Sequence, residues 1–166
     1  MFGKKAIQFL AFGGMSLLAT SAAMGHLFKA GDIIVHHPVV RATPNGAKVG
    51  AGYLTIRNTG SAPDRLVAIE SSAAATVQAH QSIREGSVVR MSEHHEGVVI
   101  PAGGEVNLKS GGDHLMFEGL KAPFKVGEPV TGTLVFERAG RVPVEFIVEP
   151  IGGASAAEHA GHKTGG

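Results

Sequence analysis

The 166-residue sequence contains no cysteine. This absence excludes a thiol nucleophile, a cysteine-ligated zinc site, an iron–sulfur cluster and a blue-copper centre, because each of them requires a cysteine sulfur. A chain of this length can bury a hydrophobic core. Without disulfides, an exported protein has to be stabilised by that core alone.

The chain also has little excess charge of either sign. Its 15 Lys and Arg residues and 14 Asp and Glu residues give a formal net charge of +1. Two of the cations, Lys4 and Lys5, begin a segment that we interpret as a secretory signal peptide over residues 1–25. In it, an apolar stretch from Ala6 to Leu18 is followed by small residues. Without these two lysines the charge becomes about −1, so neither nucleic acid nor anionic lipid is indicated as a partner.

A long apolar run that would cross a bilayer is missing as well. The N-terminal apolar stretch is short and interrupted by glycine, so we expect no stable membrane association once the signal is removed. Small residues predict cleavage before Met24 or before His26. An uncleaved membrane anchor is the alternative.

No segment shows a helical hydrophobic period over three turns. Instead, nine short strand-like segments are separated by Gly and Pro clusters; they span 32–40, 51–58, 65–71, 76–83, 87–93, 105–110, 114–120, 130–137 and 142–149. In the last segment valine and phenylalanine alternate with Pro143, Glu145, Ile147 and Glu149, as in a half-buried strand. The sequence therefore predicts one all-β sandwich or barrel over residues 26–150 with Greek-key connections. Residues 151–166 are small and polar and predict a flexible tail containing His159 and His162.

Methionine is scarce, and its positions are informative. Of five methionines, only Met91 and Met116 are certain to remain after loss of the signal. Residues i and i+2 of a strand share a face, so His114 and Met116 should project together. A two-residue turn centred on Glu85 and Gly86 would place His80 directly opposite Met91.

These two His/Met pairs indicate a soft metal. Thioether sulfur is a soft ligand and imidazole a borderline one, so together they suit Cu(I) and suit Mg²⁺ or Ca²⁺ poorly. Zinc more often recruits cysteine, a third histidine or a carboxylate. The alternative is ordinary packing, because methionine commonly fills gaps in β cores.

The arrangement His80-x10-Met91-x22-His114-x-Met116 resembles the copper-binding signature of the periplasmic PCu(A)C copper chaperone family. The flanking segments "VVRATPNGAKVGAGYLTIRNTG", "DRLVAIES", "VIPAGGEVNLKSGGDHLMFEGL" and "TLVFERAG" agree with it, so the resemblance covers residues 32–149. Two features depart from the family pattern: Ser82 stands where many members have a methionine, and the interval between Met91 and His114 is one residue longer.

The resemblance implies a cupredoxin-like Greek-key β-barrel in the periplasm that carries copper and is not an enzyme. It assigns His80, Met91, His114 and Met116 as the Cu(I) ligands. It also implies delivery of copper to a recipient protein, a cytochrome c oxidase subunit or an assembly factor of that oxidase.

Two other functional classes and three further groups of histidines stay open. A copper-dependent redox protein would be recognised by turnover, and a metal-free β-sandwich interaction module by its failure to bind copper. His94 and His95 form either an exposed polar turn or a Cu(II) site with Glu93 and Glu96. His159 and His162 in the tail, and His26 at a new N-terminus, are further possible Cu(II) ligands.

Overall fold

The computed structural model describes residues 27–152, which contain eleven β-strands and no helix. The strands are β1 (Leu27–Ala30), β2 (Ile33–Arg41), β3 (Val49–Asn58), β4 (Asp64–Glu70), β5 (Thr76–Glu85), β6 (Val88–Glu93), β7 (Val98–Ile100), β8 (Glu105–Leu108), β9 (His114–Glu118), β10 (Val130–Phe136) and β11 (Gly140–Glu149). The all-β prediction is confirmed, and each of the nine predicted segments coincides with a strand. The two strands that the pattern missed, β1 and β7, have four and three residues, which is too short to show alternation.

Several sequence predictions fall on other parts of the chain. The signal peptide with its two cleavage positions, His26, and the tail histidines His159 and His162 lie outside the described residues. In the part of the chain that the structure describes, no helix has the length and apolarity needed to cross a bilayer.

Seven strands form a closed ring. Their hydrogen-bonded order is β2-β11-β10-β4-β5-β9-β3, and the ring closes because β3 also pairs with β2. Among these pairs β11 and β2 are parallel, so the sheet is mixed. The remaining strands extend it, with β1 on β2, β6 on β5, β7 on β4 and β8 on β3. Closure matters because it leaves few strand edges exposed within the ring.

The core fills the interior of this barrel. On β11 the alternate residues Val142, Val144, Phe146 and Val148 are at most 3% exposed, as their period-two spacing predicts. The ring of Phe117 packs edge-on against Phe124 and Phe146, with ring centroids 5.4 and 5.6 Å apart. Each such side chain contributes roughly 1.5–3 kcal/mol when it is buried.

The inward residues of β9 determine where its other residues point. Leu115 and Phe117 are fully buried in the core, so His114 and Met116 project from the opposite, outer face. There β9 lies between β5 and β3, with His114 directly opposite His80 and Met116 opposite both Gln78 and Ala51. The barrel therefore presents two histidines and a methionine on one patch of its outer surface.

Candidate metal centre

His114 is held with one ring nitrogen engaged and the other free. The residue is only 7% exposed, and its Nδ1 lies 3.0 Å from the carbonyl oxygen of Gly112. Because a carbonyl only accepts hydrogen bonds, the proton of the imidazole must be on Nδ1. The lone pair of Nε2 then remains available, which is the usual state of a histidine that binds a metal.

His80 has a buried nitrogen without a partner. Its ring lies beside that of His114, with centroids 5.9 Å apart, and its Nε2 is buried with no hydrogen bond to any residue between 27 and 152. Leaving a buried polar atom unsatisfied costs about 1–3 kcal/mol. A bound cation would give this nitrogen a partner, so the local geometry fits a metal ligand better than a packing residue.

The two methionines border the same cleft. Met116 is half-buried, whereas Met91 is 59% exposed. Both line a cleft of about 290 Å³ together with His114. Its other lining residues are Ala51, Tyr53, Ser82, Arg84, Val89, Ser110 and Gly111. Three of the four predicted ligands thus line one cleft, and the fourth, His80, lies directly beside His114.

The predicted register of the hairpin is wrong. The turn is formed by Gly86 and the residue after it, one position later than predicted, so Met91 faces Ser82 and His80 faces Glu93. The physical reason is the backbone of Gly86, whose φ is +62°. A tight hairpin turn needs a positive φ at its first central position, and glycine provides it there at low cost.

The error in register does not move Met91 to the other face of the hairpin. Moving the turn by one residue shifts each cross-strand partner by two, and residues two apart share a face. Met91 therefore lies diagonally across from His80 instead of opposite it. The hairpin and β9 lie side by side, since β5 pairs with β9 and His80 is directly opposite His114.

The neighbouring histidines do not form a second cluster. The Nε2 atom of His94 lies 3.1 Å from Oδ2 of Asp113, and Nδ1 of His95 lies 3.4 Å from Oε2 of Glu93. Within residues 27–152, no three side chains drawn from His, Cys, Asp and Glu gather into a possible metal site. The Cu(II) alternative for His94 and His95 therefore has no geometric support in this part of the chain.

Two residues near the ligands were not found from the sequence. Asp113 and Gly112 immediately precede His114, and they contact His94 and the His114 ring. The only sign of them in the sequence was the acidic residue Asp113 directly before His114, at the start of the predicted strand. The contacts themselves could not be predicted, because the partner of Asp113 is 19 residues away and Gly112 contacts the His114 ring through its backbone carbonyl.

The fold and this outward-facing cleft define a class of small cupredoxin-like β domains, the PCuAC domains. The copper-bound PCuAC domain from PmoF2 is 28% identical, with a TM-score of 0.64, and the match covers 75% of this chain and 98% of that domain. The apo PCuAC domain of PmoF2 is 27% identical, with a TM-score of 0.66 over 79% and 100% of the two chains. The Cu(I) form of DR1885 from Deinococcus radiodurans is 29% identical, with a TM-score of 0.58 over 79% and 85%.

The family model described as "Putative lipoprotein LpqE-like" matches residues 33–148, and the chain belongs to this family. A curated relative, "Putative lipoprotein Lxx21020" of Leifsonia xyli subsp. xyli (strain CTCB07), is 36% identical over 110 residues. That match spans 66% of this chain and 66% of the relative.

Proposed function

We propose that the protein is a copper chaperone that carries one Cu(I) ion on the outer face of its β-barrel. The ligands are Nε2 of His80, Nε2 of His114 and the thioether sulfurs of Met91 and Met116. The observation that carries the proposal is the buried, unpartnered Nε2 of His80, which lies beside a second available imidazole nitrogen and a cleft bordered by two sulfurs. The copper-bound and Cu(I) structures of related PCuAC domains support it.

The donor set favours Cu(I) on chemical grounds. Two neutral imidazoles and two thioethers are soft or borderline ligands, and they bring no negative charge that would favour a harder cation. A cysteine-free site also avoids oxidation to a disulfide outside the cytoplasm.

The unequal exposure of the ligands suggests the order of release. Met91 is 59% exposed and His114 is 7% exposed. In ligand exchange, a donor from the recipient would first replace the sulfur of Met91, while the less exposed histidines still hold the ion. Copper stays as Cu(I) throughout, so the transfer needs no electron donor or acceptor. Four protein ligands leave no position open for a substrate, and we therefore propose a carrier and not an enzyme.

The cellular setting is part of the proposal. The N-terminal residues 1–25 act as a signal peptide, residues 26–150 form the copper-binding domain, and residues 151–166 form a tail. The lipoprotein names of the family and of the Leifsonia relative support a place in the cell envelope, and we propose the periplasm. The proposed recipient is a cytochrome c oxidase subunit or a factor that assembles this oxidase.

The test is Cu(I) binding by competition with a chromophoric chelator, under reducing conditions, for the wild type and His114→Ala. We expect one Cu(I) per wild-type chain and a large loss of affinity in the variant. His95→Ala, which removes an exposed imidazole, should bind like the wild type. Equal affinities of all three proteins would refute the proposed site, and no binding by the wild type would identify a metal-free module. Substrate oxidation faster than that by free copper would instead identify a redox protein.

A further inference from the structure

The strand that carries Met91 is held to the barrel along one edge. Within the described residues β6 pairs only with β5, and five of its six residues are exposed. Strand β9, which carries His114 and Met116, also pairs with β5, so β6 is joined to β9 through β5, where His80 pairs with both Glu93 and His114. Strand pairing therefore connects the Met91 strand to β9 only indirectly, and a direct contact between β6 and β9 would add a second constraint.

A side-chain hydrogen bond makes this direct contact between the end of β6 and the start of β9. His94 is the first residue after β6, Asp113 is the last residue before β9, and their Nε2 and Oδ2 atoms are 3.1 Å apart. A carboxylate only accepts, so Nε2 of His94 carries the proton and donates it. The two side chains are 21% and 29% exposed, so solvent screens the contact less than it screens a fully exposed pair.

Backbone hydrogen bonds make both ends of this bridge rigid. The amide of His94 donates to the carbonyl of Ala79 at 2.9 Å, next to His80. The carbonyl of Asp113 accepts from the amide of Lys109 at 2.7 Å. The side-chain bond therefore joins two fixed points, one three residues from Met91 and the other adjacent to His114.

We propose that the His94–Asp113 hydrogen bond is a positioning contact that holds the Met91 strand close to β9, so that all four ligands can reach one ion. The inference rests on the proposed function, because it concerns the same copper site. An ordinary partly exposed pair of this kind contributes about 0–1 kcal/mol to stability. Its position between β6 and β9, which carry three of the four proposed ligands, gives it a larger effect on copper than on folding.

The experiment compares His94→Ala, Asp113→Ala, the double variant and His94→Gln with the wild type. Cu(I) affinity is measured by competition, and the number of sulfur ligands by X-ray absorption. We expect each alanine variant to lose affinity about tenfold, as is typical when a residue that orients a ligand is removed. The copper–sulfur signal should fall from two sulfurs toward one. The double variant should lose no more than either single variant, because the two residues form one contact.

The glutamine variant separates positioning from a general structural role. Its amide nitrogen can donate to Asp113 in place of the imidazole, so affinity and both sulfur ligands should be largely restored. His95→Ala is the matched control from the adjacent position and should leave both readouts unchanged. Thermal unfolding of the metal-free variants verifies that they are folded.

The outcomes distinguish the two proposals. A wild type that binds no Cu(I), or binds it without sulfur ligands, overturns the proposed function. A wild type with two sulfur ligands, together with alanine variants of unchanged affinity and sulfur count, overturns only the positioning role. Losses that are additive in the double variant, or that glutamine does not reverse, also overturn it.

Discussion

At the scale of single residues, the two histidines of the candidate metal centre differ in how their ring nitrogens are hydrogen-bonded. Among the described residues, Nε2 of His80 is buried without a hydrogen-bond partner, whereas Nδ1 of His114 donates to the carbonyl of Gly112. The two histidines therefore have opposite effects on the metal-free fold. One imposes a cost, because it carries an unsatisfied nitrogen, and the other satisfies a backbone oxygen.

This difference gives a prediction for His80→Leu and His114→Leu. The first change removes the unpaired nitrogen and should raise the free energy of unfolding of the metal-free protein by about 1 kcal/mol. The second leaves the Gly112 carbonyl without its donor and should lower that free energy by a similar amount. Both variants should lose Cu(I) affinity. Urea unfolding of the metal-free proteins measures whether the free energy of unfolding rises or falls. If His80→Leu is less stable than the wild type, Nε2 of His80 does not impose the expected cost.

The methionines permit a second test at this scale. Met91→Leu and Met116→Leu keep the side-chain volume and remove the sulfur, so stability should change by less than about 1.5 kcal/mol. Cu(I) affinity should nevertheless fall in each variant, and further in the double variant, as measured by competition. The control is Ile83→Leu on the opposite face of the same hairpin. If the double variant binds Cu(I) like the wild type, the sulfurs are not ligands.

At the scale of elements, the sequence was informative about strands and less so about their pairing. Alternation of apolar residues in β11 predicted its buried face correctly, and the i, i+2 spacing placed His114 and Met116 together. The register of β5 and β6 could not be predicted reliably, because it depends on which turn position Gly86 occupies. The contact of His94 with Asp113 was also inaccessible, since it joins distant segments that only the closed barrel brings together.

The approach of β9 to β3 rests on a glycine, which gives a prediction for this element. Gly52 pairs with Leu115, and a Cβ there would lie 2.9 Å from Cε2 of Phe117 and 3.3 Å from Cγ1 of Val40. The Phe117 ring is fully buried, so Gly52→Ala should destabilise the protein by about 1–3 kcal/mol. Because β9 must move away, Cu(I) affinity should fall as well.

Urea unfolding and chelator competition measure the two effects of Gly52→Ala. Gly112→Ala is a matched control for stability, since its Cβ would meet no atom closer than 3.7 Å. That change should stay within about 0.5 kcal/mol. Equal stabilities of the two variants would show that the barrel accommodates a methyl group at Gly52.

An ion pair between β4 and β11 gives a prediction about pH. The two terminal guanidinium nitrogens of Arg141, Nη1 and Nη2, donate to the carboxylate of Glu70 at 3.0 and 2.6 Å. This hydrogen bonding lowers the pKa of Glu70 below its usual value. The stabilisation is therefore present above the usual pKa of a glutamate and is lost as the pH falls through the lowered one. Glu70→Gln should melt slightly below the wild type at neutral pH, and the two curves should converge in acid.

At the scale of the whole molecule, the barrel serves as a rigid support for a site on its surface. The interior is filled by apolar side chains, and the proposed ligands on β5 and β9 project outward from strands whose opposite faces belong to that core. The proposed ligand Met91 lies on β6, which is almost entirely exposed. A ligand that binds only the folded chain stabilises it by mass action. The ion should therefore act as a cross-link among β5, β6 and β9.

The corresponding prediction is a copper-dependent melting temperature. At free Cu(I) a hundredfold above the dissociation constant, the free energy of unfolding should rise by about 2.7 kcal/mol. Circular dichroism melts under reductant measure the shift, with the Met91→Leu/Met116→Leu double variant as the control that should lack it. If Cu(I) does not change the melting temperature of the wild type, the ion does not bind preferentially to the folded state.

The exposure of Met91 also affects how long the metal-free protein keeps its ability to bind Cu(I). A thioether that an incoming protein can reach is also within reach of peroxide, which converts methionine to its sulfoxide. The product presents a polar oxygen in place of a soft sulfur, and Cu(I) binds such an oxygen poorly. If the protein is the proposed carrier, its metal-free form would lose the most exposed of the four proposed ligands under oxidative stress while its fold stayed intact, until a sulfoxide reductase restored the sulfur. Bound Cu(I) would shield the same sulfur, so Cu(I) and peroxide would compete for the sulfur of Met91.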